Sequence, residues 1–236
     1  MTRRRWIADE LFDNNHAALT GQHADHLIRV LRARVGQEFD IATGSAVRQG
    51  RIKAISEGRV DFELGEELPQ SSTANITLLL SIFKFDRMEW AIEKCTELGV
   101  IKIIPLIARR TDAHLALASA KRVERWRKIG LQAAEQSRRA GPPDIPAPIK
   151  VHEVAKLPGA LRILLNESEQ QDTLREILAA HHSDAHILFA IGPEGGWTED
   201  ELQMFQEHAW ISASLGSTIL RAETAAIAAT AITIAQ

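Results

Sequence analysis

Two loops of this chain carry residue types suited to holding a small ligand through backbone groups. The first reads Ile191-Gly192-Pro193-Glu194-Gly195-Gly196-Trp197. Its glycines let the backbone approach a ligand closely and offer it bare amide and carbonyl groups. Thr198 then opens a helix, with Glu201 three residues on completing a capping box. The same glycines also suit a tight strand-to-helix turn that binds nothing. The second loop, residues 214–225, reads Ser-Leu-Gly-Ser-Thr-Ile-Leu-Arg-Ala-Glu-Thr-Ala. There Arg221 and Glu223 flank the start of an Ala/Thr/Ile-rich helix, where Glu223 suits the positive end of the dipole. The two could equally form a structural ion pair.

Several chemistries do not fit. A dinucleotide site needs G-x-G-x-x-G in the first strand-to-helix turn. Here that turn is Phe83-Lys84-Phe85-Asp86-Arg87, without glycine, and the late loop reads G-x-x-G-G. No Walker A sequence is present. His23 and His26 share a helix face but lack further ligands at metal-binding spacing, so no metal is expected. His181-His182 precedes a turn and suits solvent. Cys95 falls on an apolar helical stripe, as a small buried hydrophobe.

Ligands of open parallel sheets bind beyond the C-terminal ends of strands, so the flanking elements decide whether these loops form a site. The continuous apolar run at 76–83 predicts a strand buried on both faces. A helix follows over 88–98, capped by Asp86 and closed by Gly99, with Met88, Ile92, Cys95 and Leu98 inward. Strands are expected at 100–106, 161–165, 186–191 and 211–215, and helices at 121–140, 172–180, 199–208 and 223–234. Val123, Trp126, Ile129 and Gly130 face inward on the second helix, which Gly141-Pro142-Pro143 stops; Trp90 also fits helix packing. This alternation predicts an α/β fold with a parallel sheet covered on both faces. Upstream, residues 37–42, 47–55 and 59–64 alternate with period two, and a short helix is expected within 22–35. That first unit reads as a small β-rich barrel at 1–70, joined by a polar linker to a larger domain at 75–236.

With 236 residues, 45% hydrophobic and 25% charged, one large or two unequal domains fit and wholesale disorder does not. The single cysteine excludes a disulfide framework, which suits a reducing, cytoplasmic setting. Asp9, Glu10 and Asp13 fall where an export signal needs apolar residues, and no apolar run reaches membrane-spanning length. Net charge is −3, which argues against a nonspecific nucleic-acid binder. Yet residues 102–139 hold ten Lys/Arg against three acids. Arg3, Arg4, Arg5, Arg29, Arg32 and Arg34 form a second basic set near the N-terminus, with Arg48, Arg51 and Lys53 further on. Such local surfaces can bind phosphates on an acidic protein, or be solvated faces.

Taken together, Lys84-Phe85-Asp86-Arg87-Met88-Glu89-Trp90, Lys94-Cys95-Thr96-Glu97-Leu98-Gly99-Val100, Ile104-Pro105 and Ala134-Glu135-Gln136-Ser137-Arg138-Arg139 resemble one family. Residues 191–196, Leu215-Gly216, 219–225 and His26-Leu27-x-x-Val30-Leu31-Arg32 extend the match to nearly the whole chain. The chain resembles the small-subunit ribosomal RNA methyltransferase E family, the uridine N3-methylating branch of the SPOUT superfamily. Gly-Pro-Glu-Gly-Gly alone would indicate only SPOUT-like enzymes.

The resemblance implies a PUA-like β-barrel domain that helps bind RNA, then a SPOUT domain whose C-terminal part forms a trefoil knot. It implies a homodimer with the site at the subunit interface, and S-adenosylmethionine bound in the knot. The cofactor would be held by Leu165, Asn166, Ile191, Gly192, Pro193, Gly195, Gly196, Leu215, Gly216, Leu220, Arg221, Ala222 and Thr224. After Asn166 the chain reads Glu167-Ser168 where some relatives have His-Pro, which puts that wall in doubt. The reaction would be methylation of a uridine N3 in 16S ribosomal RNA, on the assembled small subunit or on free RNA. Catalysis would fall to Arg221, Glu223 and Glu194: the guanidinium beside O2 or O4, and either carboxylate taking the N3 proton. Arg3, Arg4, Arg5, Arg29, Arg32, Arg34, Arg138 and Arg139 would hold RNA phosphates. Trp197 would stack on the extruded base or pack against its own helix. Two other readings remain: a non-catalytic RNA-binding assembly factor, and a methyltransferase of the same superfamily acting on tRNA or a ribose hydroxyl.

Overall fold

A computed structural model describes residues 5–13, 15–44, 46–69, 75–159, 161–169, 171–181 and 185–235. Arg3, Arg4 and His182 lie outside them. The chain divides into two compact units, residues 1–72 with 134–142, and residues 73–133 with 143–236. A stretch from far down the sequence, residues 134–142, joins the first unit.

In the first unit, β1 (Arg5–Ile7), β2 (Glu10–Asp13) and β3 (His16–Thr20) precede a short helix α1 (Gly21–Asp25) and a π-turn at His26–Val30. Then come β4 (Glu38–Ala42), β5 (Val47–Ser56) and β6 (Arg59–Glu67). They form one sheet in the order β1-β4-β5-β6-β3-β2, antiparallel except for β1 on β4. Register slips between β5 and β6 bend the sheet. At Gly50 a β-carbon would overlap the Ile41 side chain, so only glycine fits the concave face. Leu19, Leu27, Phe39, Ile41, Ile52 and Phe62 fill that side. The helix expected within 22–35 is shorter, because Arg32 takes a left-handed φ of 50°.

The second unit runs β7 (Ile76–Ser81), α2 (Phe85–Glu97), β8 (Lys102–Ile107), α3 (Ala113–Ser119), α4 (Val123–Gln136), β9 (Ile149–Lys150), β10 (Leu161–Leu165), α5 (Leu174–Ala179), β11 (Ile187–Ile191), α6 (Glu199–Glu207), β12 (Ile211–Ala213) and α7 (Ala222–Ile234). Its six strands are all parallel, in the order β12-β10-β11-β7-β8-β9. Alternation explains the layers. Leu78, Leu80, Ile163, Leu165, Phe189 and Ile191 join a core cluster with residues of α2, α5 and α7. Leu79, Leu164, Leu188 and Ala190 turn the other way, onto Phe205, Trp210 and Trp197. The α/β expectation therefore holds for this unit.

Some local expectations fail for physical reasons. The helix expected over 121–140 begins at Val123 and ends at Gln136, since Arg138 adopts a φ of 59° that no helix continues. Asp86 does not cap α2; Lys84 holds that position without a side-chain bond, and Asp86 sits in the first turn. Gly99, by contrast, closes α2 at a φ of 99°. Met88, Ile92 and Cys95 are buried on α2, and burial pushes the Cys95 thiol up to about 12. Trp126 is fully buried, whereas Trp90 is 48% exposed and does not pack as expected. No helix among the described residues is long and apolar enough to cross a membrane.

Candidate active site

The C-terminal ends of β10, β11 and β12 lie side by side, and the loops that leave them enclose a cavity of 330 Å3. That size falls at the lower end of the range for small-molecule sites, about 300–1,000 Å3. Its wall is built from Leu165 and Asn166 after β10, Ile191, Gly192, Pro193, Glu194 and Gly196 after β11, and Leu215, Gly216, Leu220, Arg221 and Ala222 between β12 and α7. The two glycine-bearing loops separated in sequence thus share one cavity.

Each wall is held by identifiable contacts. The Asn166 amide donates to Ser212 Oγ at 3.2 Å, and its backbone N–H donates to the Ala213 carbonyl, tying β10 to β12. Gly196 takes a φ of 70°, and a β-carbon there would come 2.9 Å from Glu167 Oε1. Gly216, at a φ of 129°, turns the chain out of β12. Thr198 and Glu201 form the expected capping box at α6. The other oxygen of the Glu201 carboxylate accepts from the Arg109 backbone N–H at 2.7 Å.

Two residues expected at the ligand stand off the cavity wall. Gly195 turns toward Arg110, whose guanidinium donates to the Gly195 carbonyl at 2.8 Å and to that of Trp197 at 3.2 Å. Thr224 points to solvent on the outer side of the first turn of α7. Trp197 follows the packing alternative. It is 8% exposed, its Nε1–H donates to the Leu165 carbonyl at 3.0 Å, and its ring meets Phe205 edge-on at 4.9 Å. With its polar edge taken and its ring largely covered, it lines the cavity as a packed side chain.

The charged trio is divided. Glu194 and Arg221 are on the cavity wall, and Arg221 is exposed at the N-cap of α7. Glu223 is 4% exposed, is not on the wall, and has an Oε2 atom with no hydrogen-bond partner. Arg221 and Glu223 do not pair among the described residues; the cation at Glu223 is Arg87 of α2, with Nε 3.7 Å from Oε1. Arg87 also donates from Nη1 to Glu194 Oε1 at 2.8 Å. Sequence reasoning gave Arg87 no role, and nothing in its spacing could have linked it to residues more than a hundred positions away. It likewise passed over Ser217, Thr218 and Ile219, which complete the outer wall.

The expected phosphate-binding arginines also separate. Arg29, Arg32, Arg34 and Arg138 are exposed in the first unit, with Arg29 3.7 Å from Asp25. Arg5 is largely buried, donates to the Arg138 carbonyl and faces Asp40 at 4.0 Å, so its charge is spent inside the unit. Arg139 is half-buried, and that burial lowers its pKa. His23, set aside as a metal ligand, bonds Asp9 at 2.9 Å through Nδ1 and pairs with Glu135 at 3.1 Å through Nε2. Among the described residues, no group of three or more His, Cys, Asp or Glu could hold a metal ion.

Known proteins agree with this architecture. A family model described as an RNA methyltransferase domain matches residues 69–234. A ribosomal RNA small subunit methyltransferase E from Rickettsia conorii is 34% identical, with 97% of this chain and 93% of that protein covered. The protein of the same name from Synechocystis sp. is 32% identical, covering 95% and 75% respectively. The solved ribosomal RNA small subunit methyltransferase E of Neisseria gonorrhoeae, bound to S-adenosyl methionine, superposes with a TM-score of 0.81 at 31% identity, covering 97% of this chain and 95% of that one.

Proposed function

The chain belongs to the RNA methyltransferase family and, within it, to the ribosomal RNA small subunit methyltransferases E, and from that premise we propose that it methylates N3 of a uridine in 16S ribosomal RNA with S-adenosylmethionine. The observation that carries the reading is the cavity itself, which brings Glu194 of one glycine-bearing loop and Arg221 of the other into one lining.

The cavity fits that cofactor. Leu165, Ile191, Ala213 and Leu220 offer apolar surface for a base, and the loop glycines leave backbone groups accessible. Glu167 and Glu194 on the wall supply negative charge for a sulfonium. Gly192 could not carry a side chain without pressing on Trp197, 3.1 Å from a β-carbon there. When bound, S-adenosylmethionine supplies an electrophilic methyl group.

The protein's own task is the base. An N3 proton with a pKa near ~10 makes the reactive anion cost roughly 4 kcal/mol at pH 7. Arg221, beside O2 or O4, offsets part of that cost by stabilising the anion. Glu194 accepts the proton, being the carboxylate of the two that reaches the cavity. Glu223 acts from behind it.

The wider reading includes a PUA-like barrel in the first unit, with Arg29, Arg32, Arg34 and Arg138 on RNA phosphates. It includes a trefoil knot in the second, supported by the hydrogen bonds that join Asp172 and Leu174 to Ser214 beyond β12. It includes a homodimer, supported by α7, nine of whose thirteen side chains are apolar and which leaves Ile234 43% exposed. A cytoplasmic location and the assembled small subunit as substrate complete it.

The test is incubation with S-adenosylmethionine and unmethylated small subunits, or their stripped RNA, followed by nucleoside mass spectrometry. N3-methyluridine is expected. Its absence from both, with protein that still binds cofactor, would favour tRNA as the substrate.

A further inference from the structure

Arg87 belongs to the first turn of α2 and is not among the cavity-wall residues. Its side chain is 28% exposed and lies between two carboxylates. The bond to Glu194 is short and direct at 2.8 Å; the approach to Glu223 is longer, at 3.7 Å. Glu223 has a side chain only 5% exposed, and its Oε2 is buried with no partner. A buried carboxylate needs a compensating cation, and the cation here is shared unequally.

We propose, resting on the function above, that Arg87 is the positioning residue of the site. It aims Glu194 at the cavity and serves as the counter-ion that Glu223 takes over when Glu194 is protonated. In that step the uracil N3–H bond breaks and an O–H bond forms on Glu194. The electron pair left on N3 makes the new bond to the methyl group as the methyl–sulfur bond breaks and its electron pair returns to sulfur, leaving a neutral thioether. Glu194 later releases its proton to water. While Glu194 is neutral, the guanidinium is drawn to Glu223, where the unpartnered Oε2 awaits a donor.

Three variants test this: R87Q, R87K and the double variant R87Q/E223Q. R87Q should lower kcat about 100-fold, as expected of a misplaced reacting group. Its cofactor Kd, read by calorimetry, and its KM for RNA should stay unchanged; R87K should recover part of the rate. R87Q should also melt several degrees lower, because Glu223 loses its cation, and adding E223Q should restore most of that loss. An unchanged kcat in R87Q would overturn the proposal, as would a double variant no more stable than R87Q. The melting experiment needs neither RNA nor cofactor, so it judges the Arg87–Glu223 pairing even if the wild type leaves RNA unmethylated.

Discussion

Two of the clusters that set one cation between two carboxylates, one in each unit, are built differently. In the first unit His23 sits between Asp9 at 2.9 Å and Glu135 at 3.1 Å. Both ring nitrogens are engaged, and Trp6 lies against the imidazole at 5.8 Å. In the second unit Arg87 holds Glu194 at 2.8 Å but leaves Glu223 at 3.7 Å. The first cluster is closed, and its internal pairing is complete on the cation's side. The second is open: its cation is shared unequally, and one of its carboxylates lines the cavity. Closure serves stability, whereas the open cluster places one of its carboxylates where a ligand can reach it.

Removing a charge from the open side should give the largest effect. R221A should cut kcat by about 100-fold or more, the scale seen when one donor to a developing anion is lost. Cofactor affinity should change far less, as separate titration of binding will show. Equal losses in both would make Arg221 a binding residue and weaken the contrast.

The closed cluster should speak through pH. The hydrogen bond that His23 donates to Glu135, with the charge of Asp9, raises the His23 pKa from 6.5 to about 9 against the opposing effect of burial. A raised pKa means stability that is fully present below about 6.5 and lost as pH rises through about 9. The loss should be on the order of 3 kcal/mol. Denaturant midpoints from pH 6 to 10 should show that decline in the wild type and not in H23Q. A flat wild-type profile would mean that the cluster is not charged as its geometry demands.

A smaller effect distinguishes scaffold from substrate contact. W197F removes the bond to the Leu165 carbonyl and part of a buried ring, at a cost of about 2 kcal/mol in stability. Thermal melts should register it, while KM for RNA stays near the wild-type value. The opposite pattern would restore the stacking role.

What the sequence made legible follows the same division. Strands buried on both faces announce themselves as unbroken apolar runs, so β7, β10 and β11 fall within two residues of expectation. Thr198 with Glu201 marks a helix start because the cap is local. Strands β1, β2 and β3 escaped notice: they are short, and all four residues of β2 are exposed, leaving no alternation to read. Glycine content singles out the two loops, but not the direction each residue faces, which is why Gly195 and Thr224 stand off the cavity wall they were expected to join. The placing of residues 134–142 in the first unit, and Arg87 beside Glu194 and Glu223, depend on pairings across long sequence separations that no spacing encodes.

The contrast between the clusters is tested most directly by single-turnover methyl transfer at saturating cofactor, comparing E194Q with H23Q below the denaturation midpoint of each. E194Q should lose at least about 100-fold in rate, the contribution of a positioned general base, while keeping its affinity for S-adenosylmethionine. H23Q should transfer methyl at the wild-type rate. A wild-type rate in E194Q, or a comparable loss in H23Q, would contradict the account.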